Sequence, residues 1–167
     1  MKNTAPAQPD RRAALREALA VAASLHGLGL GLWPAAARAA APGPAAWDAA
    51  FQAPKLDAAL AALGLKLPEA SEDVSLRVQD LAENGAAVPV EFGTRWPQAR
   101  RLLLVVEQNP AVLCAAFELH PEQVEPRYAL RIKMAQTSAV LAIAMDDAGQ
   151  ARYARREVAV ILGGCAA

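Results

Sequence analysis

The strongest candidate for chemistry in this sequence is a cysteine that follows two glycines near the carboxyl end, in Gly163-Gly164-Cys165-Ala166-Ala167. A thiol near a chain end cannot be packed by chain on both sides, so we expect it to be exposed. The glycines make its tether flexible, and the three residues after Leu162 give it a reach of about 10 Å. The pattern predicts a carrier arm, residues 163–167, that delivers a thiol into another protein.

A second cysteine, Cys114, leaves two other interpretations of Cys165 open. An even number of cysteines in an exported protein favours a disulfide, and the tail could also be an end without a role. Against the disulfide, Cys114 lies in the middle of a predicted strand, and a bond to it would immobilise the tail. The residues favour the free arm over the disulfide and the idle tail, with Cys114 interpreted as structural.

The residue types do not favour catalysis by this chain. A nucleophilic cysteine is normally held against a histidine or a helix end that keeps it a thiolate. His120 precedes Pro121 at the end of a predicted strand, where a surface loop residue is expected more than a catalytic base. The sequence has no Cys-x-x-Cys or His-x-x-x-His pair, so we expect no metal site. We predict no catalytic residues and a protein on which other proteins do chemistry.

Size and charge limit the partners. The 167 residues suit one domain with an extension. The formal net charge is zero, and the sequence has no block of lysines and arginines. Nucleic acid is therefore not expected as a partner.

Residues 1–39 have the pattern of an export signal. Arg11-Arg12 lies in a basic start region, a weakly hydrophobic stretch follows, and Ala37-Arg38-Ala39 fits a small-x-small cleavage site. The arginine pair resembles a twin-arginine (Tat) signal, although Ala14 stands where that pattern usually has phenylalanine. Pro34 and several glycines disfavour a stable helix that spans the membrane. We expect cleavage, a periplasmic and therefore oxidising location, and no membrane attachment of the mature protein.

Short helices are expected next, within a segment of linker and helix over residues 40–68. Three leucines share one apolar stripe at helical spacing: Leu56, Leu60 and Leu63. Gly64 is a natural helix end. The pattern predicts one or two helices over residues 46–63.

Residues 69–162 are predicted to form an antiparallel β-sandwich. Seven short runs, apolar or alternating, are separated by turn signals there. They cover residues 74–79, 86–92, 101–107, 112–119, 128–133, 137–145 and 153–162. The fold class is therefore all-β, a sandwich with short N-terminal helices.

Several single positions carry further expectations. Asn84-Gly85 and Asp146–Gly149 are turn signals, and Pro89 argues for an edge position or a bulge. Strand alternation places Cys114 on the face opposite Leu113 and Phe117, pointing away from the core if those two lie inside. Residues 133–138 fit either a corner between strands or an edge that faces a partner.

Five segments, in this order along the chain, resemble the SoxY family, the sulfur-carrier subunit of the thiosulfate-oxidising Sox system. They are Leu81–Val90, Asn109-Pro110, Phe117–Leu119, Arg131–Ser138 and Gly163-Gly164-Cys165. The resemblance extends over nearly all of the chain after the signal and includes the helical start and the Tat-like signal.

The resemblance implies an immunoglobulin-like sandwich that forms a heterodimer with SoxZ. It also implies that a haem enzyme, SoxAX, attaches thiosulfate oxidatively to Cys165, with Gly163 and Gly164 as the arm. SoxB then releases the terminal sulfone group as sulfate, and SoxCD, where it exists, oxidises the remaining sulfane sulfur. No cofactor is implied beyond the sulfur species on Cys165.

One departure and one alternative follow. The family ends Gly-Gly-Cys-Gly-Gly, whereas Ala166 and Ala167 follow the cysteine here, which puts substrate throughput in doubt more than the carrier role. The alternative is a periplasmic sandwich that only binds a partner, with Cys165 bonded to Cys114 or idle.

Overall fold

The computed structural model describes residues 42–66, 68–120 and 125–161, all within one compact unit. The predicted export signal and the carrier arm with Gly163, Gly164 and Cys165 lie outside the described residues. Neither helix in the described ranges has the length and apolar character needed to cross a membrane.

Two short helices precede the strands in the described part of the chain, α1 (Pro44–Gln52) and α2 (Leu56–Ala62). Pro44 is at the first helical position, where its missing N–H costs no hydrogen bond. Gly64 ends α2 with a φ of +67°, and the amide of Leu65 donates to the carbonyl of Leu60 at 2.9 Å. This left-handed glycine cap confirms the helix end predicted from the sequence.

The described ranges contain nine strands. They are β1 (Glu69–Ala70), β2 (Val74–Val78), β3 (Leu81–Ala82), β4 (Val88–Thr94), β5 (Arg101–Val106), β6 (Leu113–Glu118), β7 (Arg127–Ile132), β8 (Ser138–Met145) and β9 (Ala151–Val160). The seven predicted runs correspond to β2 and β4–β9, which confirms them. The two-residue strands β1 and β3 were not predicted, because two residues have no readable alternation.

The strands form two sheets. The larger sheet has the order β1-β9-β8-β5-β6, with β3 also on the outer edge of β9, and the smaller has the order β2-β4-β7. β1 and β3 run parallel to β9, and all other pairs are antiparallel. The predicted all-β sandwich is therefore confirmed.

Pro89 lies in the middle strand of the smaller sheet, but at a local edge. β2 pairs with β4 only from Val90 to Thr94, whereas β7 pairs with Pro89 itself through Arg131. Since β2 has ended at that level, the missing N–H of the proline interrupts no complete three-stranded ladder.

β5 and β8 have continuous apolar sequences because an apolar layer covers each of their two faces. Every residue of both strands is buried. One face, including Leu102 and Val140, packs in the core between the sheets. The other face, including Leu103 and Ile143, packs with Leu60 and other residues of the helical segment. The helices thus cover the outer face of the larger sheet, so alternation is lost in its two central strands.

Candidate functional site

The described chain reaches Ile161, one residue beyond the last strand and four residues before Cys165. Residues 159–161, here called the arm root, therefore determine where the predicted carrier arm begins. Two of the large hydrophobic side chains exposed in the described ranges lie in or beside it: Ile161, 50% exposed, and Leu81 on the neighbouring strand β3, 51% exposed.

The arm root extends past its main neighbouring strand. The β8–β9 register ends at the pair Ser138 and Val158, so β8 does not hold residues 159–161. The short strand β3 takes its place: the amide of Ala159 donates to the carbonyl of Asp80 at 2.8 Å, and that of Ile161 to the carbonyl of Ala82 at 3.0 Å.

A glycine turn that follows β3 also lies against the arm root. The side chain of Asn84 accepts a hydrogen bond from the amide of Ala86 at 2.9 Å, which confirms the predicted turn. The amide of Met134 donates to the carbonyl of Gly85 at 2.7 Å. A Cβ atom at Gly85 would lie 2.5 Å from the carbonyl oxygen of Met134 and 2.9 Å from the Cγ1 atom of Val160. Glycine is required there by close approach rather than by a positive φ.

Residues 133–138 form the corner where the chain passes from β7 in the smaller sheet to β8 in the larger. Asn109 holds this corner: its side chain donates to the carbonyl of Lys133 at 2.8 Å and accepts from the amide of Ala135 at 3.0 Å. The hydroxyl oxygen of Thr137 accepts from the amide of Val160 at 3.0 Å. Of the two interpretations left open by the sequence, the structure shows the corner.

Three of the segments that carry the family resemblance therefore meet at one place. Segments 81–90 and 131–138 contact the arm root, and Asn109 holds the second of these segments in place. The sequence indicated a turn and a corner separately. It gave no signal that they converge, because contacts between distant segments leave no local pattern.

Cys114 lies half-buried at a β-bulge. The β5–β6 register shifts between the pairs Leu104–Ala115 and Val105–Leu113, so Cys114 packs against the core between the sheets while Leu113 packs toward the helices. Cys114 is opposite Leu113 as expected, but Phe117 packs on the same side as Cys114. The expected outward orientation of Cys114 was therefore wrong, because the bulge breaks the alternation between Leu113 and Phe117.

The thiol of Cys114 is not activated. Burial raises its pKa above the ordinary value, and a hydrogen bond from Asn109 opposes that shift only in part. The thiol donates weakly to the carbonyl of Val112 at 3.7 Å. A buried thiol with a raised pKa is a poor nucleophile near neutral pH.

His120 lies far from the arm root. It is exposed and lines a cavity of about 340 Å³ with Trp96, Arg100 and Pro126. This cavity is at the end of the sandwich where β6 finishes and β7 begins, whereas the arm root is at the end where β7 finishes. The geometry does not bring His120 to the thiol of Cys114. Among the described residues, no group of His, Cys, Asp and Glu could hold a metal ion.

A charged cluster lies beside the corner at Thr137. Arg155 forms ion pairs with Glu107 at 3.6 Å and with Glu157 at 2.5 Å. Slight burial lowers the pKa of Arg155, but Glu157 and Glu107 outweigh it and raise that pKa. The cluster carries one net negative charge and offers no unpaired cation to a sulfur oxyanion.

Comparison with known proteins decides the family. Residues 59–165 match the model of the family described as sulfur oxidation protein SoxY, which is more than half of the chain. The chain belongs to the SoxY family. The match ends on Cys165, so it includes the residue predicted for attachment.

A solved structure of a SoxY protein agrees with this assignment. The sulfur carrier protein SoxY from Chlorobium limicola f thiosulfatophilum is 33% identical, with a TM-score of 0.58, and covers 65% of this chain and 97% of its own. This likeness confirms the expected immunoglobulin-like sandwich. Superoxide reductase (neelaredoxin) from Ignicoccus hospitalis is 17% identical, with a TM-score of 0.46, and covers 55% of this chain and 82% of its own. The curated proteins include no match to this chain.

Proposed function

We propose that this chain is a sulfur carrier, without catalysis of its own, that holds sulfur intermediates covalently on Cys165. The observation that carries the proposal is the family match, which ends on Cys165, four residues beyond the last described residue, Ile161. The related structure from Chlorobium limicola is itself that of a sulfur carrier protein.

Covalent geometry gives the reach of the thiol. Four residues at roughly 3.3–3.6 Å each place Cys165 at most about 14 Å from Ile161. A pocket that takes in the thiol must therefore bring its rim close to the arm root, where Leu81 and Ile161 offer exposed apolar contacts.

The same geometry argues against a disulfide between the two cysteines. Cys114 is three strands away from β9, which is roughly 14 Å across the sheet. It lies level with Ala154 and Arg155, so roughly 24 Å separates it from Ile161 along the diagonal. Four residues and the span of a disulfide cover only roughly 20 Å.

The chemistry follows from the resemblance to SoxY. The thiolate of Cys165 and the sulfane sulfur of thiosulfate form a sulfur–sulfur bond, and the two electrons released pass to SoxAX. Water then cleaves the terminal bond on SoxB, so that sulfate leaves and a persulfide remains on Cys165. Where SoxCD exists, it oxidises that sulfane sulfur. The protein acts in the periplasm and needs no cofactor of its own.

We propose a SoxZ-like subunit as the stable partner, with SoxAX, SoxB and SoxCD as transient ones. An unpaired edge supports a stable partner: within the described residues, β6 pairs only with β5, and its residues from Cys114 to Phe117 are half-buried. Co-expression followed by size exclusion with light scattering is expected to give a 1:1 complex. Two separate monomers at micromolar concentration would count against this partner.

The carrier role is tested by comparing Cys165→Ser with Cys114→Ser in a reconstituted Sox system. Cys165→Ser is expected to abolish thiosulfate-dependent sulfate release, and Cys114→Ser to keep most of it. Intact mass after incubation with thiosulfate should show sulfur additions that a reductant removes. Full activity in Cys165→Ser would refute the carrier, and labelling of no free thiol at Cys165 would favour the alternative of a disulfide-bonded partner-binding domain.

A further inference from the structure

We propose that Gly85 and Thr137 are positioning residues of the carrier, which hold the arm root, residues 159–161, in one fixed position on the domain. The inference rests on the carrier role proposed above. It names residues outside the arm itself that determine how efficiently the thiol reaches a partner enzyme.

The first argument is the shape of the ladder around residues 159–161. The main partner of β9 ends at Ser138, which pairs with Val158. The last residues of a strand without a neighbour on that side normally fray. Here each of three consecutive amides has an acceptor outside β8: the carbonyl of Asp80, the hydroxyl oxygen of Thr137 and the carbonyl of Ala82.

The second argument is the close packing of Gly85. Its backbone lies between the carbonyl of Met134 and the side chain of Val160, so close that a Cβ atom would be 2.5 Å from one and 2.9 Å from the other. The side chain of Val160 itself packs against the core between the sheets. The turn at Gly85 therefore packs against Val160, whose side chain is in turn packed against the core.

A fixed arm root would make delivery of the thiol to an enzyme easier, because part of the chain is already ordered before binding. With the arm root fixed, residues 159–161 need no ordering when an enzyme takes in the thiol. If the arm root frays, three further residues must be ordered at that moment, which lowers apparent affinity without changing the chemical step. We therefore expect the loss in KM and not in kcat.

Gly85 and Gly93 lie at opposite ends of the sandwich, and replacing each by alanine gives a matched pair of variants. A Cβ atom at Gly93 would lie 2.6 Å from the carbonyl oxygen of Pro126, a contact similar to that at Gly85 but at the end of the sandwich far from the arm root. Gly85→Ala and Gly93→Ala are expected to destabilise the fold similarly. Gly85→Ala alone should raise the KM of SoxB-dependent sulfate release for the loaded carrier heterodimer by at least about tenfold, the factor that ordering one residue corresponds to.

Thr137 provides a milder pair, because its side chain is exposed and the fold should tolerate its change. Thr137→Val keeps the volume and removes the acceptor of the Val160 amide. Hydrogen exchange of that amide should quicken by roughly tenfold, the factor that one hydrogen bond corresponds to, with a smaller rise in KM. Thr137→Ser restores the hydroxyl and should restore both values.

Reaction of Cys165 with a small disulfide reagent, followed in a Cys114→Ser background, should be unchanged in all four variants, since that reagent needs no aligned arm. Equal KM values for Gly85→Ala and Gly93→Ala, or unaltered exchange at residues 159–161 in Thr137→Val, would overturn the positioning role. Neither result would affect the carrier role, which depends on Cys165→Ser. Failure of both glycine variants to fold leaves the two Thr137 variants to decide.

Discussion

At the residue scale, the environment of the Cys114 thiol is testable through pH. Burial raises the pKa of the Cys114 thiol, so its thiolate appears only above the pH at which an ordinary cysteine ionises. In Cys165→Ser, alkylation of Cys114 should be slow at neutral pH and should rise only in strongly alkaline solution. The rate of iodoacetamide labelling against pH, measured by mass spectrometry, checks this.

The matched control is Cys114→Ser, in which Cys165 is the single thiol of the chain. Fast labelling of Cys114 at neutral pH, comparable with that of Cys165, would contradict the raised pKa. Such a result would also reopen Cys114 as a second site of sulfur attachment.

Ala166 and Ala167 are the other residues with a consequence at this scale. Each alanine restricts the backbone relative to glycine by about 0.4–1 kcal/mol in chain entropy and adds a methyl group. We expect Ala166→Gly with Ala167→Gly to speed sulfate release by enzymes taken from relatives with the Gly-Gly-Cys-Gly-Gly ending. An unchanged rate at equal carrier concentration would show that the alanines do not restrict access, and would leave the carrier role intact.

At the scale of elements, α2 stabilises the larger sheet through its buried leucine. Leu60 is buried and packs with Leu103, Ile143 and other residues of the outer face. Leu60→Ala should lower the free energy of unfolding by about 2–4 kcal/mol, because it leaves a cavity. Leu56 on the same helix is only half-buried, so Leu56→Ala should cost clearly less. Urea denaturation of both variants gives the comparison, and equal costs would contradict the packing described.

The same elements show what sequence reasoning can and cannot reach. The seven longer strands, the helix end at Gly64 and the turn at Asn84-Gly85 were predictable, because each depends on a local pattern of polarity or turn chemistry. The bulge at Cys114 and the short strand β3 were not predictable. Both depend on which distant strand lies beside them, and their own residues carry no period that reveals it.

The candidate site divides in the same way. Cys165 as the attachment site, with its two glycines, was predicted from residue types and from the resemblance, and it stays a prediction. The contacts of Gly85 with Met134 and Val160 could not, since these three residues are far apart in sequence and meet only in the folded sandwich.

At the scale of the whole molecule, the twin arginine makes a prediction about location. Changing Arg11 and Arg12 to lysine should leave uncleaved precursor in the cytoplasm, because Tat recognition depends on the arginine pair. Cell fractionation with immunoblotting measures precursor and mature protein. Normal periplasmic accumulation of the double-lysine variant would contradict Tat export, while a wild-type chain processed in the same cells is the control.

The length and neighbours of β9 have a mechanical consequence if, as proposed above, a partner enzyme holds the carboxyl end of the chain. β9 spans Ala151–Val160, and eight of its residues are paired with β8. A pull on the carboxyl end acts along this strand, while the hydrogen bonds of an antiparallel ladder lie across it. The force is therefore shared in shear by many bonds at once and does not open them one after another. If a partner enzyme pulls on the carboxyl end, the domain is therefore expected to resist unfolding from that end.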